Sequence, residues 1–159
     1  MAAVEPADSR RVARPEPAYF DDFTLDMRFR SPSRVVCDDD VRAYTRFSND
    51  VRPIFDRKAD EPLPVPQMYL FSLGVALLLH GDAGYIPEHF VAFYGFDSIT
   101  FHSTAIGGTM IRSSATVTDL VARKSTGLVA YRHETSTVTG QLLTSSEQRI
   151  LVRRRTADV

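Results

Sequence analysis

Residues 65–80, VPQMYLFSLGVALLLH, form an apolar run that decides how this chain folds. A helix made from this run is apolar on nearly every side, so it is stable only when protein surrounds it. Pro66 suits the first turn of a helix, and Gly81 and Gly84 supply a stop. The run is shorter than the ~20 residues that a membrane span needs. We therefore predict a buried core helix from Gln67 to about His80.

A polar loop, SNDVRPIFD at residues 48–56, lies just upstream of this helix. The acidic residues Asp38–Asp40 open a shorter helix before the loop, because carboxylates suit the positive end of the helix dipole. Val41, Tyr44 and Phe47 predict one apolar face for that shorter helix. Pro53 prevents the helix from continuing. The loop therefore presents the carboxylate of its aspartate beside a buried helix, as in several small enzymes.

The chain after Glu88 has the pattern of β-strands. β-Branched and aromatic residues dominate it, and glycines break it at turn positions. A first strand is predicted earlier, near Ser33–Cys37. The later predicted strands are Phe90–Phe96, Ser98–His102, Thr109–Arg123, Gly127–Val138 and Leu142–Arg153. Long consecutive strands joined by short turns predict an antiparallel meander. One buried helix with such a sheet predicts an α+β hot-dog fold, in which the sheet wraps the helix.

Length and charge restrict the class of protein. The 159 residues suit one domain, which we predict at residues 18–155, between a mobile tail at 1–17 and a short tail at 156–159. A formal net charge of −1 predicts neither a nucleic-acid partner nor an anionic membrane partner. The N-terminus lacks the apolar segment of a secretory signal. Cys37, the single cysteine, permits no internal disulfide, and we expect it to be buried. We predict a cytoplasmic protein.

From about Tyr19 to Arg154 the chain resembles the MaoC-like, or (R)-specific enoyl-CoA hydratase, family in its single hot-dog form. Four stretches carry the resemblance, and they occur in the family's order around the apolar helix. They are Tyr19–Phe23, the loop at 48–56, Phe101–Gly108 and Ile150–Arg154. The loop corresponds to the family's hydratase motif, Gly-Asp-x-Asn-Pro-apolar-His-x-Asp in outline. This resemblance supports the hot-dog prediction.

The resemblance also implies roles for the loop residues. In the family, an aspartate and a histidine activate water for addition to an α,β-unsaturated acyl thioester. Asp50 takes the position of the catalytic aspartate, and Pro53 and Ile54 match the motif. Phe55 stands at the histidine position, and its ring neither accepts nor donates a proton. Arg52 stands at the asparagine position. Asp56 matches a family acid that either acts in the site or stabilises the loop.

The resemblance implies further contacts from the start of the core helix. A backbone amide there polarises the thioester carbonyl in the family, and Gln67 or Met68 would supply it. Val75 occupies a helix position where hydratases often carry a hydroxyl. Tyr69 either lines the substrate tunnel or is a core tyrosine. Phe55, Gln67, Met68 and Tyr69 are our predicted substrate-binding residues.

Replacement of the histidine makes the family's water addition doubtful, since a general acid–base group contributes ~10²–10⁴-fold to rate. His102, which precedes a loop that can approach the substrate tunnel, is a candidate replacement, and His80 is a weaker one. Arg52 either lowers the pKa of Asp50, binds a substrate carboxylate or enolate, or faces solvent. The predicted catalytic residues are therefore Asp50, Arg52 and His102.

These expectations lead to three readings of function. The first is a MaoC-like enzyme acting on an acyl thioester or polyketide-like intermediate by dehydration, elimination or cyclisation assisted by Asp50. The second is an (R)-specific enoyl-CoA hydratase with a relocated base. The third is a non-catalytic acyl-binding or partner subunit. We predict no metal and no cofactor, with the substrate carried on CoA or an acyl carrier protein. The resemblance and the exposed edges of a curled sheet predict a homodimer or a multiple of dimers.

Overall fold

The computed structural model describes residues 16–55, 61, 63–82 and 85–155. In these ranges, two short 3₁₀ turns at Phe20–Asp22 and Pro53–Phe55 accompany two helices and six strands. The helices are α1 (Asp38–Phe47) and α2 (Gln67–Leu78). The strands are β1 (Arg28–Arg30), β2 (Arg34–Val35), β3 (Phe90–Phe101), β4 (Met110–Ala122), β5 (Thr126–Thr137) and β6 (Leu142–Arg153). Residues 1–15 of the tail predicted at 1–17, the predicted tail at 156–159, Asp56 and Gly84 lie outside the described residues.

All six strands belong to one antiparallel sheet. Its order is β1, β4, β5, β6, β3, and β2 pairs with the start of β4. β4, β5 and β6 follow one another as hairpins, which confirms the predicted meander. Gly140 has a φ of 97° in the turn between β5 and β6, a left-handed conformation that glycine adopts without strain. β3 returns to the far side of β6 and forms one edge of the sheet.

Helix α2 packs across one face of this sheet, in contact with β4, β5 and β6. The strands turn alternate side chains towards the helix, so Ile111, Ser113 and Ala115 of β4 are buried while the residues between them are less so. Gly74 lets the helix approach closely, because a Cβ at this position would overlap the hydroxyl of Thr135. A central apolar helix packed against an antiparallel sheet is the predicted architecture, and it is confirmed.

The segment that leads into α2 is fastened to the loop after β3. The Val65 amide donates a hydrogen bond to the Ala105 carbonyl (2.8 Å), and the Gly107 amide donates one to the Leu63 carbonyl (2.8 Å). Asp38, at the start of α1, accepts a hydrogen bond from the Leu63 amide at 3.3 Å. These bonds hold the starts of α1 and α2 together, so the end of the loop that leads into α2 is anchored.

The structure corrects several boundaries. The predicted first strand at Ser33–Cys37 is only Arg34–Val35, and β1 was not predicted. The two short strands predicted from Phe90 to His102 are one strand, interrupted by three irregularities in its register with β6. The strand continues through Asp97, where we predicted a break, because an edge strand tolerates both bulges and charged side chains.

Two burial predictions were wrong. Phe47 was expected on the apolar face of α1, but its side chain is 90% exposed, because the sheet and α2 reach only the first turns of α1, where Val41 is fully buried. Cys37 was expected in the core, and it is exposed at the start of α1. Among the described residues, no helix has the length and apolar character needed to cross a membrane.

Candidate active site

The loop after α1 is shaped by one left-handed residue and a backbone hydrogen bond. Asn49 has a φ of 52°, a conformation that asparagine tolerates better than most residues. This turn brings the Asp50 amide back to the Thr45 carbonyl at 2.9 Å. Pro53 then begins the 3₁₀ turn that ends at Phe55. The turn directs the chain across the start of α2 and leaves the Asp50 side chain only 18% exposed.

Asp50 and Arg52 form a two-point ion pair. Nε of Arg52 donates to Oδ1 of Asp50 at 2.8 Å, and a terminal guanidinium nitrogen donates to Oδ2 at 2.6 Å. The Arg52 side chain is itself 66% exposed, so this pair lies at the rim of the protein. The hydrogen bonds from Arg52 hold the pKa of the Asp50 carboxyl below its usual range. Asp50 is therefore ionised at neutral pH and is a weakened base while the pair is closed.

The ring of Phe55 packs against the guanidinium of Arg52. The Arg52 guanidinium carbon lies 5.0 Å from the centre of the Phe55 ring, a cation–π distance. The residue at the position where the family has a histidine therefore supports the cation that pairs with Asp50. Asp56 follows directly and lies outside the described residues.

A pocket of about 330 Å³ opens between this loop and the start of α2. Four of the predicted site residues line it, namely Asp50, Arg52, Gln67 and Met68. Its full lining is Tyr44, Ser48, Asp50, Arg52, Pro66, Gln67 and Met68. A second groove, of about 430 Å³, lies on the other side of the ion pair and reaches Phe55. The Asp50–Arg52 pair thus separates two recesses.

The start of α2 supplies hydrogen-bond donors to the first pocket. The Leu70 amide donates to the Pro66 carbonyl at 2.9 Å, which is the first hydrogen bond of the helix. The amides of Gln67 and Met68 precede that bond and have no carbonyl within the helix to accept from them. Together with the helix dipole, such amides stabilise a developing negative charge on oxygen. The pocket is therefore lined both by an ionised carboxylate and by the first residues of the central helix.

Tyr69 lies beside the pocket without lining it. Its ring packs on that of Tyr44, with ring centres 5.0 Å apart, and burial raises the pKa of its hydroxyl. Tyr44 takes the lining position instead. The sequence indicated Tyr44 only as part of the apolar face of α1, so its polar edge at the pocket was missed. Ser48 was within the loop motif and was not singled out, although it also lines the pocket.

His102 does not join this arrangement. His102 directly follows β3, its Nε2 lies 2.8 Å from the hydroxyl of Ser145 of β6, and its side chain is exposed. No described contact links His102 to Asp50, and neither recess at the ion pair includes it. His80 follows the end of α2 that is opposite to the pocket. Among the described residues, no group of three histidine, cysteine or acidic side chains is placed to hold a metal ion.

Comparison with solved structures gives the architecture a name. A MaoC-like dehydratase from Rhodospirillum rubrum superimposes with a TM-score of 0.73 at 15% identity, over 89% of this chain and 100% of that one. A protein from Mycobacterium tuberculosis described as having a double hot-dog fold gives a TM-score of 0.70 at 17% identity, over 91% of this chain and 46% of that one. The chain has the hot-dog fold.

An (R)-hydratase from A. caviae shares the hot-dog fold with a TM-score of 0.60 at 22% identity, over 80% of this chain and 96% of that one. No protein-family model and no curated protein sequence matches the chain. The likeness to MaoC-like dehydratases and (R)-hydratases is thus one of fold. The hot-dog helix is α2, and the recess at its start is where this chain places Asp50.

Proposed function

We propose that this protein is a hot-dog enzyme that uses Asp50 as an acid–base group on an acyl thioester or a related polyketide-like intermediate. The reaction is a dehydration, elimination or cyclisation. One observation carries the proposal: the Asp50 carboxylate, whose side chain is 18% exposed, lines the same pocket as the first residues of the central helix. A base and an oxyanion donor facing one recess are the two elements that proton removal next to a thioester carbonyl requires.

In this mechanism the thioester carbonyl oxygen accepts a hydrogen bond from the Gln67 or Met68 amide. The carboxylate of Asp50 removes the proton from the carbon next to the carbonyl, and the electron pair moves onto the carbonyl oxygen as an enolate. As the enolate collapses, the bond to a β-hydroxyl breaks and the hydroxide takes the proton back from Asp50. Water and an α,β-unsaturated thioester leave, and Asp50 is again a carboxylate. One residue thus serves as base and then as acid.

Arg52 has a double role in the proposal. In the resting protein it keeps Asp50 ionised and weakly basic through the two-point ion pair. When substrate enters, its planar fork is suited to turn towards a substrate carboxylate or the enolate oxygen. Release of Asp50 from the cation makes the carboxylate more basic at the moment when it is needed.

The names of the structural neighbours support this proposal at the level of chemistry. One is a MaoC-like dehydratase and another an (R)-hydratase, so dehydration and its reverse occur on this fold. An (R)-specific enoyl-CoA hydratase with a relocated base remains the related alternative. His102 would have to approach the pocket from elsewhere to be that base, and a second protomer could bring it there. The carrier is CoA or an acyl carrier protein, and the location is the cytoplasm, in this proposal.

A second candidate function is acyl binding without catalysis, as a partner subunit of an active hot-dog chain. Two observations favour it. Phe55 stands where the family's histidine acts, and Arg52 occupies both oxygens of Asp50. A carboxylate closed by its own neighbour is consistent with a site that has lost its proton-transfer role.

The decisive experiment measures interconversion of a short 3-hydroxyacyl thioester and its enoyl form by the purified protein. We expect activity that falls by about 10²–10⁴-fold in Asp50→Asn, the size of a general acid–base contribution. Asp39→Asn, a change to an exposed carboxylate of α1, is the matched control and should leave the activity unchanged.

The variant Phe55→His separates the candidate functions. A silent native protein that becomes active with Phe55→His supports the non-catalytic subunit and contradicts the enzyme proposal. Silence of the native protein and both variants, with all three folded by circular dichroism, contradicts the dehydratase and the hydratase together. Native activity that survives in Asp50→Asn contradicts the role of Asp50 and directs the search to another base.

A further inference from the structure

The sheet carries a polar groove on the face that is turned away from α2. The groove has a volume of about 510 Å³ and lies where β1 and β2 meet the start of β4 and the end of β5. Small-molecule sites have volumes of about 300–1,000 Å³. Neither recess at the Asp50–Arg52 pair shares a lining residue with it. Two arginines and four serines are among the residues that line the groove: Arg30, Arg112, Ser31, Ser33, Ser114 and Ser136.

Strand alternation places the two arginines on the same face of the sheet. Arg112 and Ser114 alternate along β4 with buried residues such as Ser113, so their side chains point away from α2. Arg30 pairs with Ser114 across the strands, and Phe29 before it is buried. Arg30 and Arg112 are therefore diagonal neighbours, a relation in which Cα atoms are about 7–8 Å apart. At this separation both guanidinium groups can contact one ligand.

A β-bulge in the edge chain forms one wall of the groove. Between the pairs Arg30–Ser114 and Arg34–Ile111, the edge chain has one residue more than β4. The extra residue lies within 31–33, where the chain passes from β1 to β2. Such bulges redirect side chains and are frequent next to functional sites. This bulge contributes two of the four serines of the groove.

Hydrogen bonds fix this wall. The Ser31 hydroxyl accepts a hydrogen bond from the Ser113 amide at 2.8 Å and donates one to the Pro32 carbonyl at 2.8 Å. The Ser31 amide donates to the Ser113 carbonyl at 2.9 Å. Asp82 holds the backbone of Arg30, because its amide donates to the Arg30 carbonyl at 2.8 Å and its carboxylate accepts from the Arg30 amide at 2.9 Å. A wall that is ordered in advance lowers the cost of binding a ligand.

The two arginines make one side of the groove positive. Among the residues that the structure describes, no ion pair includes Arg30 or Arg112. Glu134 lines the β5 side of the groove, and its carboxylate lies 3.8 Å from Nε of Arg132. Like charges on neighbouring strands repel each other, and an anion bound between them would offset that repulsion.

The lining defines the chemistry of a ligand. Arginine makes two-point hydrogen bonds to phosphate oxygens, and two arginines suit a doubly charged phosphate. Serine hydroxyls both donate and accept, and within the described ranges those of Ser33, Ser114 and Ser136 make no hydrogen bond to the protein. The Glu134 carboxylate can accept hydrogen bonds from ligand hydroxyls. A phosphate ester that also carries several hydroxyl groups therefore matches the groove.

We propose that this groove binds the phosphate monoester of a polyhydroxylated small molecule, either a sugar phosphate or a nucleoside monophosphate. The phosphate lies between Arg30 and Arg112, and the hydroxyl groups of the ligand face the serines and Glu134. This site is separate from the Asp50 pocket and does not depend on the function proposed above.

Ribose 5-phosphate is the probe, because it is itself a sugar phosphate and is also part of every ribonucleoside monophosphate. Adding it to the purified protein should shift the amide NMR signals of Ser114, Ser136 and Gly140, which line the groove, and leave those of Gln67 and Met68 in place. Inorganic phosphate and ribose should each bind at least about tenfold more weakly, since each makes only part of the contacts.

AMP in a parallel titration distinguishes the two sources of the phosphate ester. Tighter binding of AMP than of ribose 5-phosphate assigns the groove to a nucleotide. Equal or weaker binding of AMP assigns it to a sugar phosphate. Either result supports the proposal.

Variants of the two arginines test the phosphate contact. The double variant Arg30→Gln with Arg112→Gln alters two exposed side chains, so the protein should stay folded while its affinity for ribose 5-phosphate falls at least about tenfold. Each single variant should show part of this loss. Arg28→Gln is the matched control, because Arg28 is an exposed arginine of the same strand outside the groove, and it should keep the native affinity.

Three results would overturn the proposal. The first is that millimolar ribose 5-phosphate causes no shifts at the groove. The second is that the double variant and both single variants keep the native affinity. The third is that inorganic phosphate binds as tightly as ribose 5-phosphate, which contradicts recognition of the hydroxyl groups. None of these results affects the role of Asp50, which thioester interconversion tests separately.

Discussion

At the scale of single residues, the acid–base behaviour of Asp50 depends on Arg52, two positions later in the chain. A carboxylate without partners on an exposed loop would titrate as an ordinary aspartate. The two hydrogen bonds from Arg52 instead stabilise the ionised form of Asp50. Phe55, which cannot transfer a proton, contributes by supporting the guanidinium. The chemistry of the loop therefore depends on whether this ion pair opens when substrate arrives.

The effect of Arg52 on Asp50 can be measured without any substrate. In Arg52→Gln the carboxylate loses the hydrogen bonds and the charge that favour its ionised form, so the pKa of Asp50 should rise towards its usual range. Carbon NMR of the aspartate carboxyl groups during an acid titration follows this shift directly.

Arg34→Gln is the control for that titration, because Arg34 pairs with Asp40 at 2.8 Å and leaves Asp50 alone. The Asp50 titration should be the same in this variant as in the native protein. An unchanged pKa of Asp50 in Arg52→Gln would show that the ion pair does not persist in solution.

At the scale of elements, the close packing of α2 on the sheet depends on Gly74, a residue without a side chain. Gly74 faces the Thr135 hydroxyl, which a Cβ would overlap, with the Ser113 hydroxyl only 3.2 Å from the same point. Glycine is a poor helix former, so its presence in mid-helix has a packing reason. This contact also places α2 directly over the buried hydroxyls of Thr135 and Ser113.

Gly74→Ala should therefore destabilise the protein although alanine favours helices. Overpacking costs about 1–3 kcal/mol, against a helix-propensity gain of about 1 kcal/mol. The overlap with the Thr135 hydroxyl is severe, which places the overpacking cost in the upper part of that range. We therefore expect a net loss of roughly 1–2 kcal/mol in the free energy of unfolding, measured by urea denaturation.

A second change tests whether Thr135 is the cause. The double variant Gly74→Ala with Thr135→Ala should be more stable than Gly74→Ala alone, since the overlap is removed. Ser72→Ala, at an exposed position of the same helix, should change stability by less than about 0.5 kcal/mol. A Gly74→Ala protein as stable as the native one would contradict the close packing of helix on sheet.

At the scale of the whole molecule, β3 is the long edge strand of the sheet, opposite the edge that the short strands β1 and β2 form. It forms one edge of the sheet, and its side chains are exposed on both faces, aromatic rings among them. Val91, Phe93, Tyr94 and Phe96 are between 44% and 56% exposed. An exposed apolar edge strand of this length favours association. We propose that two copies pair through β3, which gives the predicted homodimer.

Analytical ultracentrifugation tests this pairing. The native protein should sediment with twice the chain mass of 17.8 kDa. Phe93→Glu places a charge on the edge strand and should shift the protein to the monomer mass. Leu25→Glu is the control, because Leu25 is similarly exposed but lies outside β3. A native monomer, or a dimer unaffected by Phe93→Glu, would contradict pairing through β3.

Much of the fold could be predicted from local pattern. The apolar run at 65–80 indicated α2 to within two residues, since its end at Leu78 lies close to the expected His80. β-Branched alternation predicted β4, β5 and β6 almost to their bounds. The exposure of Phe47 could not be predicted, because periodicity tells which face of a helix is apolar but not how far its neighbours extend.

The candidate site divides in the same way. The sequence by itself determined that Asp50 stands on a loop just before the core helix, and its resemblance to the hydratase motif is what aligns Phe55 with a histidine position. Only the tertiary structure decided that Arg52 closes on Asp50, that Tyr44 rather than Tyr69 lines the pocket, and that His102 pairs with Ser145 instead. It alone decided that His133 is fully buried, beside the hydroxyls of Thr135 and Ser146. Local propensity specifies elements, whereas pairing and burial depend on which distant strands the folded chain brings together.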